Sequence, residues 1–318
     1  MIVFLLVFFN LLVLTVKACF SKRLAFHTVR ETDPFLFSFL RMIFCVVIGV
    51  LIILLVRAPE ELRAERGLLL VCLLGGAGSA INVVGWLLAV KHLPLSTVVV
   101  TGTCSAILPA LLCYALFGEP LSGPKMIGFA LIVSAAVVMN AGKGGPVQGS
   151  NRAVGIAWLT VYIASDCAVS FAQQLFKRYY SENGAAFRGV AYSVRTYNFY
   201  LFLVAAILLG VFTAVVWIGA RIRRKKTGAE LPPRPAPFRR PLLLVFLVAV
   251  GMFLAIYLQT TVTADYGLPA QILYPVTSGG CIVTLNIASV LVFREKPTVR
   301  MVIGSLLAIA GSLAMNFL

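Results

Sequence analysis

Charged side chains are scarce in this chain of 318 residues: Asp, Glu, Lys and Arg make up 12% of it, against 60% of apolar types. An average soluble domain carries about 25% charged residues, so this scarcity excludes an ordinary water-soluble domain. It also excludes a disordered chain, which would be polar and poor in large apolar side chains. The composition therefore predicts that much of the surface faces lipid.

Acidic residues are rarer still, with 11 Asp and Glu against 27 Lys and Arg and a formal net charge of +16. In a soluble protein such an excess suggests nucleic-acid binding. Here the Lys and Arg gather in short segments between apolar runs, where they set topology and contact anionic lipid headgroups. The sequence therefore predicts the lipid bilayer as a partner and no nucleic acid.

Motifs for catalysis and metal binding are also missing. The seven cysteines form no C-x-x-C pair, and the two histidines, His27 and His92, lie in or beside loops. The chain has no H-E-x-x-H, no G-x-S-x-G and no phosphate-binding P-loop. The glycine cluster Gly75-Gly-Ala-Gly78 lies in an apolar run and predicts close helix packing instead. We therefore expect no metal, no cofactor and no enzyme, with an integral membrane enzyme as the weaker alternative.

The chain does contain long apolar runs. A bilayer core about 30 Å thick needs a helix of ~20 apolar residues, and the two-residue alternation of barrel strands is not seen. The sequence predicts an all-α, multi-pass integral membrane protein with ten transmembrane helices, expected in the plasma membrane. The ten predicted helices are 2–19, 35–56, 68–90, 96–117, 126–142, 153–176, 196–220, 242–264, 271–293 and 301–318.

The two halves of the chain repeat each other at an almost constant offset. Because five helices per half is an odd number, the second half would enter the membrane inverted, as in many alternating-access carriers. The predicted domains are a first repeat at 1–142, a linker at 143–152 and a second repeat at 153–318, which contains a basic loop at 221–240. The matched positions are Leu93-Pro94 with Leu268-Pro269, Glu119 with Glu295, Thr101 with Thr277, and Gly128 with Gly304.

Four short stretches carry a family pattern: Ala89-Val-Lys-His-Leu-Pro-Leu-Ser96, Leu116-Phe-Gly-Glu-Pro-Leu121, Phe293-Arg-Glu-Lys-Pro297, and Asp33-Pro-Phe followed by Arg41. With them, the chain resembles the EamA-like ten-helix carriers of the drug/metabolite transporter superfamily. The resemblance implies a central cavity lined by helices one to four and six to nine, with helices five and ten at the periphery. It implies secondary transport of a small organic metabolite or drug by alternating access, with proton coupling as one option. A lipid-linked substrate flippase is the alternative within the same superfamily.

Asp166 lies near the middle of an apolar run, where an ionised side chain costs about 2.5–3.5 kcal/mol. We interpret it as a cavity residue that binds a cationic group or exchanges a proton. The alternative is a structural role, either as a partner to Arg41 or as a protonated hydrogen bonder between helices. Arg41 could itself bind an anion or reach the membrane surface with its long side chain. Lys17, nearer its helix end, is interpreted as an anchor at that surface.

Uncharged polar and aromatic side chains complete the candidate site, although each could equally serve helix packing. Glu119 and Glu295 end helices before a proline and are either gate candidates or helix-terminating turns. A small-molecule substrate is predicted, while the oligomeric state stays open, with a monomer as one option. Loop charges place the termini outside and the resemblance places them in the cytoplasm, so the orientation also stays open. The remaining binding candidates are Asn82, Trp86, Thr101, Gln173, Tyr257, Gln259, Tyr274 and Thr277.

Overall fold

The computed structural model describes residues 2–26, 33–93, 98, 102, 105, 107–118, 122–140, 151–187, 191–227, 239–293 and 298–317. Every regular element in these ranges is a helix. A short 3-10 helix, Pro59–Leu62, follows the second α-helix. The α-helices are α1 Ile2–Phe26, α2 Asp33–Leu55, α3 Arg66–His92, α4 Ile107–Phe117, α5 Gly123–Asn140, α6 Arg152–Tyr180, α7 Val194–Thr227, α8 Arg239–Ala264, α9 Ala270–Phe293 and α10 Val299–Phe317.

Seven of the described helices are long and apolar enough to cross a membrane: α1, α2, α3, α6, α7, α8 and α9. The other three, α4, α5 and α10, contain shorter apolar segments. Large apolar side chains such as Phe4, Leu55 and Leu291 are more than two-thirds exposed, which suits lipid rather than water. The prediction of an all-helical, multi-pass membrane protein is confirmed, whereas the five-plus-five repeat of ten spans stays a prediction.

Helix α7 differs from its predicted extent. It continues to Thr227 and so enters the segment 221–240 that the sequence analysis treats as a loop. Arg and Lys are good helix formers, so a helix does not have to stop where its apolar run stops. Residues 228–238 of that loop, and residues 141–150 of the predicted linker, lie outside the described part of the chain.

Small residues allow α3 to pack closely between two neighbours. A Cβ atom added at Gly76 would lie 2.7 Å from the backbone oxygen of Leu201 on α7. One added at Gly78 would lie 3.0 Å from the backbone oxygen of Ser165 on α6. A backbone oxygen cannot move aside as a flexible side chain can, so these positions require glycine. The glycine cluster therefore packs helices, as predicted.

Helices α5 and α10 pack against each other away from the centre of the bundle. Ile132 and Ala135 of α5 and Ala308 of α10 share one buried cluster. A Cβ atom at Gly311 would lie 2.8 Å from the backbone oxygen of Gly128, which shows how closely the two helices approach. This contact occupies the small-residue face of α10.

Several contacts between helices follow a pattern of exchange between the two halves of the chain. Helix α3 packs against α6, and α1 packs against α8. Helix α2 packs against α7, α4 against α9, and α5 against α10. Suppose that each of the first five helices is exchanged with the helix five positions later. The α3–α6 contact then becomes the α8–α1 contact, and the other three pairs are unchanged.

Candidate functional site

A cavity of about 230 Å³ lies between the helices, lined by residues of α1, α2, α3, α6, α8 and α9 together with Gly102 and Ser105. Neither α5 nor α10 contributes to it, and α7 contributes none of its lining either. The volume is below the 300–1,000 Å³ typical of sites for drug-sized ligands. The cavity therefore has the dimensions of a site for a small solute.

The structure brings most of the predicted site residues to this cavity. Gln173 and Tyr257 lie outside its lining, while Thr101, Glu119 and Glu295 lie outside the described residues. The predicted residues that line the cavity are Arg41, Asn82, Trp86, Asp166, Gln259, Tyr274 and Thr277.

Both carboxylate oxygens of Asp166 accept hydrogen bonds from uncharged donors. The Asn82 Nδ2 donates to Oδ1 at 3.2 Å, and the Ser105 hydroxyl donates to Oδ2 at 2.5 Å. No ion pair joins Asp166 to Arg41 or Lys17, although all three side chains line the cavity. The sequence analysis does not single out Ser105, and a hydroxyl inside the apolar run 96–117 is the signal that could have found it.

Lys17 and Arg41 place two basic groups on the cavity wall. Arg41 is only 6% exposed, and its buried Nε has no hydrogen-bond partner in the described structure. The stem of Lys17 packs beside Gly251, where an added Cβ atom would lie 3.0 Å from the Lys17 Cβ. Lys17 thus lines the cavity, and its interpretation as a membrane-surface anchor stays a prediction.

Gln173 and Tyr274 form hydrogen bonds that connect the helices around the cavity. The Gln173 Nε2 donates to the hydroxyl of Thr260 at 3.0 Å, which links α6 to α8. The Tyr274 hydroxyl donates to the backbone oxygen of Ser170 at 2.8 Å and accepts from the Gln174 Nε2 at 3.1 Å, which links α9 to α6. Gln173 thus serves helix packing, whereas Tyr274 both packs and lines the cavity.

Beyond these links, an ion pair joins the segment after α2 to the start of α7. The Arg195 Nε donates to the Glu61 Oε2 at 3.0 Å, and its NH2 group contacts Oε1. The Ser193 hydroxyl donates to the same carboxylate at 2.8 Å. The hydrogen bond from Arg195 holds the pKa of Glu61 below its ordinary value. Tyr257 interacts with Arg195 here rather than with the cavity.

Further hydrogen bonds join the segment after α6 to the connection between α8 and α9. The Ser181 hydroxyl donates to the backbone oxygen of Ala264 at 2.9 Å, and the Asn183 Nδ2 donates to that of Asp265 at 3.0 Å. The Lys177 ammonium donates to the backbone oxygens of the same connection, Gly267 at 3.0 Å and Leu268 at 3.2 Å. Together with the ion pair, we name this set the tied layer: Glu61, Lys177, Ser181, Asn183 and Arg195.

The tied layer lies farther along the helices than the cavity does. On α6 the cavity residues end at Ser170, and on α8 they end at Gln259, before the tied positions Lys177 and Ala264. The bonds of the layer therefore hold the bundle together at one end of the cavity.

Metal-binding groups do not come together in the described part of the chain, where no three His, Cys, Asp or Glu residues are close enough to hold an ion. The described cysteines are free thiols. The chemistry of the site is therefore that of its hydrogen-bonding and charged side chains.

Comparison with known proteins agrees with the fold. Residues 1–141 match the model of the EamA-like transporter family. Solved structures with this fold include 28 matching chains, and one crystal structure superposes with a TM-score of 0.69 over 98% of this chain and 95% of the other, at 17% identity. No curated protein matches the sequence. Residues 1–141 are thus similar to the EamA-like transporter family, and the resemblance is confirmed over that part of the chain.

Proposed function

We propose that this protein is a secondary transporter that moves a small organic solute across a membrane by alternating access. The observation that carries the proposal is a cavity with polar and charged walls inside an apolar helical bundle. Polar groups in such a bundle are costly, and in membrane proteins they commonly mark a substrate or ion pathway. Helices from both halves of the chain supply these groups: Asp166 comes from α6, and Lys17, Arg41 and Asn82 come from α1 to α3.

The proposed architecture is two inverted five-helix repeats, 1–142 and 153–318, joined by the linker 143–152. The exchange pattern of helix contacts supports it, because a two-fold axis between the repeats would generate the α3–α6 contact and the α8–α1 contact together. Carriers with inverted repeats place their substrate site near the axis, between the repeats. The cavity lining comes from helices of both proposed repeats, which supports such a site here.

Alternating access requires that each end of the cavity open in turn. The tied layer closes one end through side chains and backbone oxygens of different helices, so that end opens only if these bonds break. Hydrogen bonds and partly exposed ion pairs of this kind are each worth about 1 kcal/mol, small enough to break during a transport cycle. The tied layer is accordingly our proposal for the gate at this end.

Asp166 is the proposed coupling residue. Its two oxygens accept from neutral donors, and among the described residues no cation forms an ion pair with it within 4 Å. Such a carboxylate can take up a proton or an ammonium group from the solute. We propose proton exchange at this position, in a monomeric carrier of the plasma membrane.

Reconstitution into liposomes tests the proposal. Vesicles loaded with a candidate solute should accumulate the labelled solute against its concentration gradient by exchange, and the rate should saturate. Simple equilibration without exchange would indicate a channel, and a chemically altered solute would indicate an enzyme. Movement of a fluorescent lipid between leaflets, measured by dithionite quenching, without solute exchange would indicate a flippase. Each of these three results would contradict secondary transport of a small solute.

A further inference from the structure

We propose that Lys17 and Arg41 form an anion subsite in the cavity, so that the transported solute carries a carboxylate or phosphate group. The inference rests on the proposed transport function for its biological meaning. The binding chemistry, however, follows from the cavity itself and can be tested without transport.

Arg41 supplies the first observation. Its guanidinium remains protonated in proteins and offers five N–H donors. The side chain is 6% exposed and lines the cavity, yet its Nε has no hydrogen-bond partner among the described residues. A buried charged donor without a partner is costly, and in a folded protein it calls for a physical reason. An anionic group in the cavity would be such a partner.

Lys17 supplies the second observation, from another helix. It lines the same cavity and makes no hydrogen bond or ion pair within 4 Å to a described residue. Its ammonium is close enough to Arg41 for the two positive charges to repel each other, and it is also attracted by the Asp166 carboxylate. Two like charges on one cavity wall destabilise the empty site. An anion that interacts with both side chains stabilises the site, because its attraction to the two positive charges outweighs their mutual repulsion.

The charge balance of the lining agrees with this assignment. Lys17, Arg41 and Asp166 are its only charged residues in the described structure, which leaves one positive charge in excess. Asp166 offsets one of the two positive charges without forming an ion pair within 4 Å, and its oxygens accept hydrogen bonds from Asn82 and Ser105. A solute with one anionic group therefore neutralises the cavity, and a hydroxyl elsewhere on the solute would suit Asp166.

Thermal unfolding of the purified full chain with defined small probes tests the subsite. The probes are sodium acetate, inorganic phosphate and methylammonium chloride, each at the same ionic strength as a sodium chloride reference. We expect acetate or phosphate to raise the Tm by about 2–4 °C at concentrations well above their Kd, and methylammonium to give no such rise. Stabilisation by methylammonium alone, or by no probe, would overturn the proposal.

Variants show which side chains cause the anion-dependent rise in Tm. In Arg41→Gln and Lys17→Met the anion-dependent rise should disappear, while Arg41→Lys should retain part of it. Arg152→Gln removes an exposed arginine at the start of α6 and should respond as the wild type does. Removing one of two repelling charges should also leave the unliganded Tm of Lys17→Met equal to or above that of the wild type. An unchanged anion response in both cavity variants would overturn the subsite, as would an Lys17→Met protein that is much less stable than wild type.

Failure of the subsite and failure of the transport proposal give different results. Anion binding without exchange in liposomes would leave the subsite standing and remove the transporter. Exchange restricted to cationic or neutral solutes would leave the transporter standing and remove the subsite.

Discussion

The tied layer and the cavity both contain polar side chains, but the two regions differ in how many of these side chains have hydrogen-bond partners. In the layer, Arg195 meets Glu61, and Ser181 meets a backbone oxygen of α8. In the cavity, the Arg41 Nε and the Ser79 hydroxyl have no hydrogen-bond partner in the described structure. Because buried polar groups in folded proteins are normally satisfied, these two unpartnered groups in the cavity are our candidates for contact with a ligand.

The largest expected effect concerns the close packing of α3 against α7. Gly76→Leu should strongly reduce the amount of folded protein, because the new side chain would collide with the backbone oxygen of Leu201. Overpacking of this kind costs about 1–3 kcal/mol or more. Gly219→Leu is the matched control on α7, since nothing lies within 4 Å of a Cβ atom there. Detergent-solubilised size-exclusion profiles measure both, and equal yields would show that close α3–α7 packing is not needed.

Asp166→Asn should have the next largest effect, on transport rather than on folding. Asparagine keeps the shape but loses the charge, and hydrogen bonds to a charged group contribute about 1.5–3 kcal/mol. We expect initial exchange rates to fall roughly 10- to 100-fold, and their pH dependence to be lost. Glu65→Gln, at an exposed position outside the cavity and the tied layer, is the control. An Asp166→Asn protein with wild-type rates at every pH would remove this residue from the mechanism.

Ser105→Ala sharpens the comparison within the cavity. It deletes the 2.5 Å donor to the Asp166 Oδ2 and leaves the Asn82 bond in place. A hydrogen bond is worth about 0.5–1.5 kcal/mol net, so exchange should slow by roughly 2- to 10-fold. Ser134→Ala is the control, because that exposed hydroxyl bonds only to the carbonyl of Ala130 on its own helix. An equal rate change in both variants would mean that the Ser105 bond does not act through Asp166.

Glu61→Gln tests the tied layer and should have the smallest effect on stability. The pair is partly exposed to solvent, so its loss should cost about 1 kcal/mol or less. Arg195 lowers the pKa of Glu61, so the stabilisation is full above the unfolded pKa and is lost as the pH falls through the lowered folded value. The Tm difference between wild type and variant should therefore be present at pH 7 and vanish in acid. A difference that grows in acid would contradict this sign.

A second measurement on Glu61→Gln addresses the gate. If the layer opens during transport, labelling of a cysteine introduced at Ser170 should be faster in the variant than in the wild-type background. The label is added from the side of the tied layer. A cysteine introduced at the buried Ala205 is the comparison, because general loosening of the fold would speed labelling there as well, whereas gate opening would not. Equal labelling at Ser170 in both backgrounds would separate the ion pair from gating.

Much of the helical framework and several cavity residues could be predicted from the sequence. Apolar runs about twenty residues long report directly on burial in lipid, because every residue of a spanning helix contributes to the same signal. Asp166 and Arg41 stand out in those runs because a charge there is costly. The end of α7 could not be predicted in this way, since the basic residues after its apolar run are themselves good helix formers.

The sequence by itself determined that this is a helical membrane protein with charges placed inside its apolar runs. Only the tertiary structure decided which polar groups find partners: Arg195 and Gln173 bond within the fold, whereas Lys17 and Arg41 line the cavity. The physical reason is the separation along the chain of the residues that take part in each interaction. Burial in lipid depends on consecutive residues, but a hydrogen bond or an ion pair depends on which helices meet, and Glu61 and Arg195 are far apart in the chain.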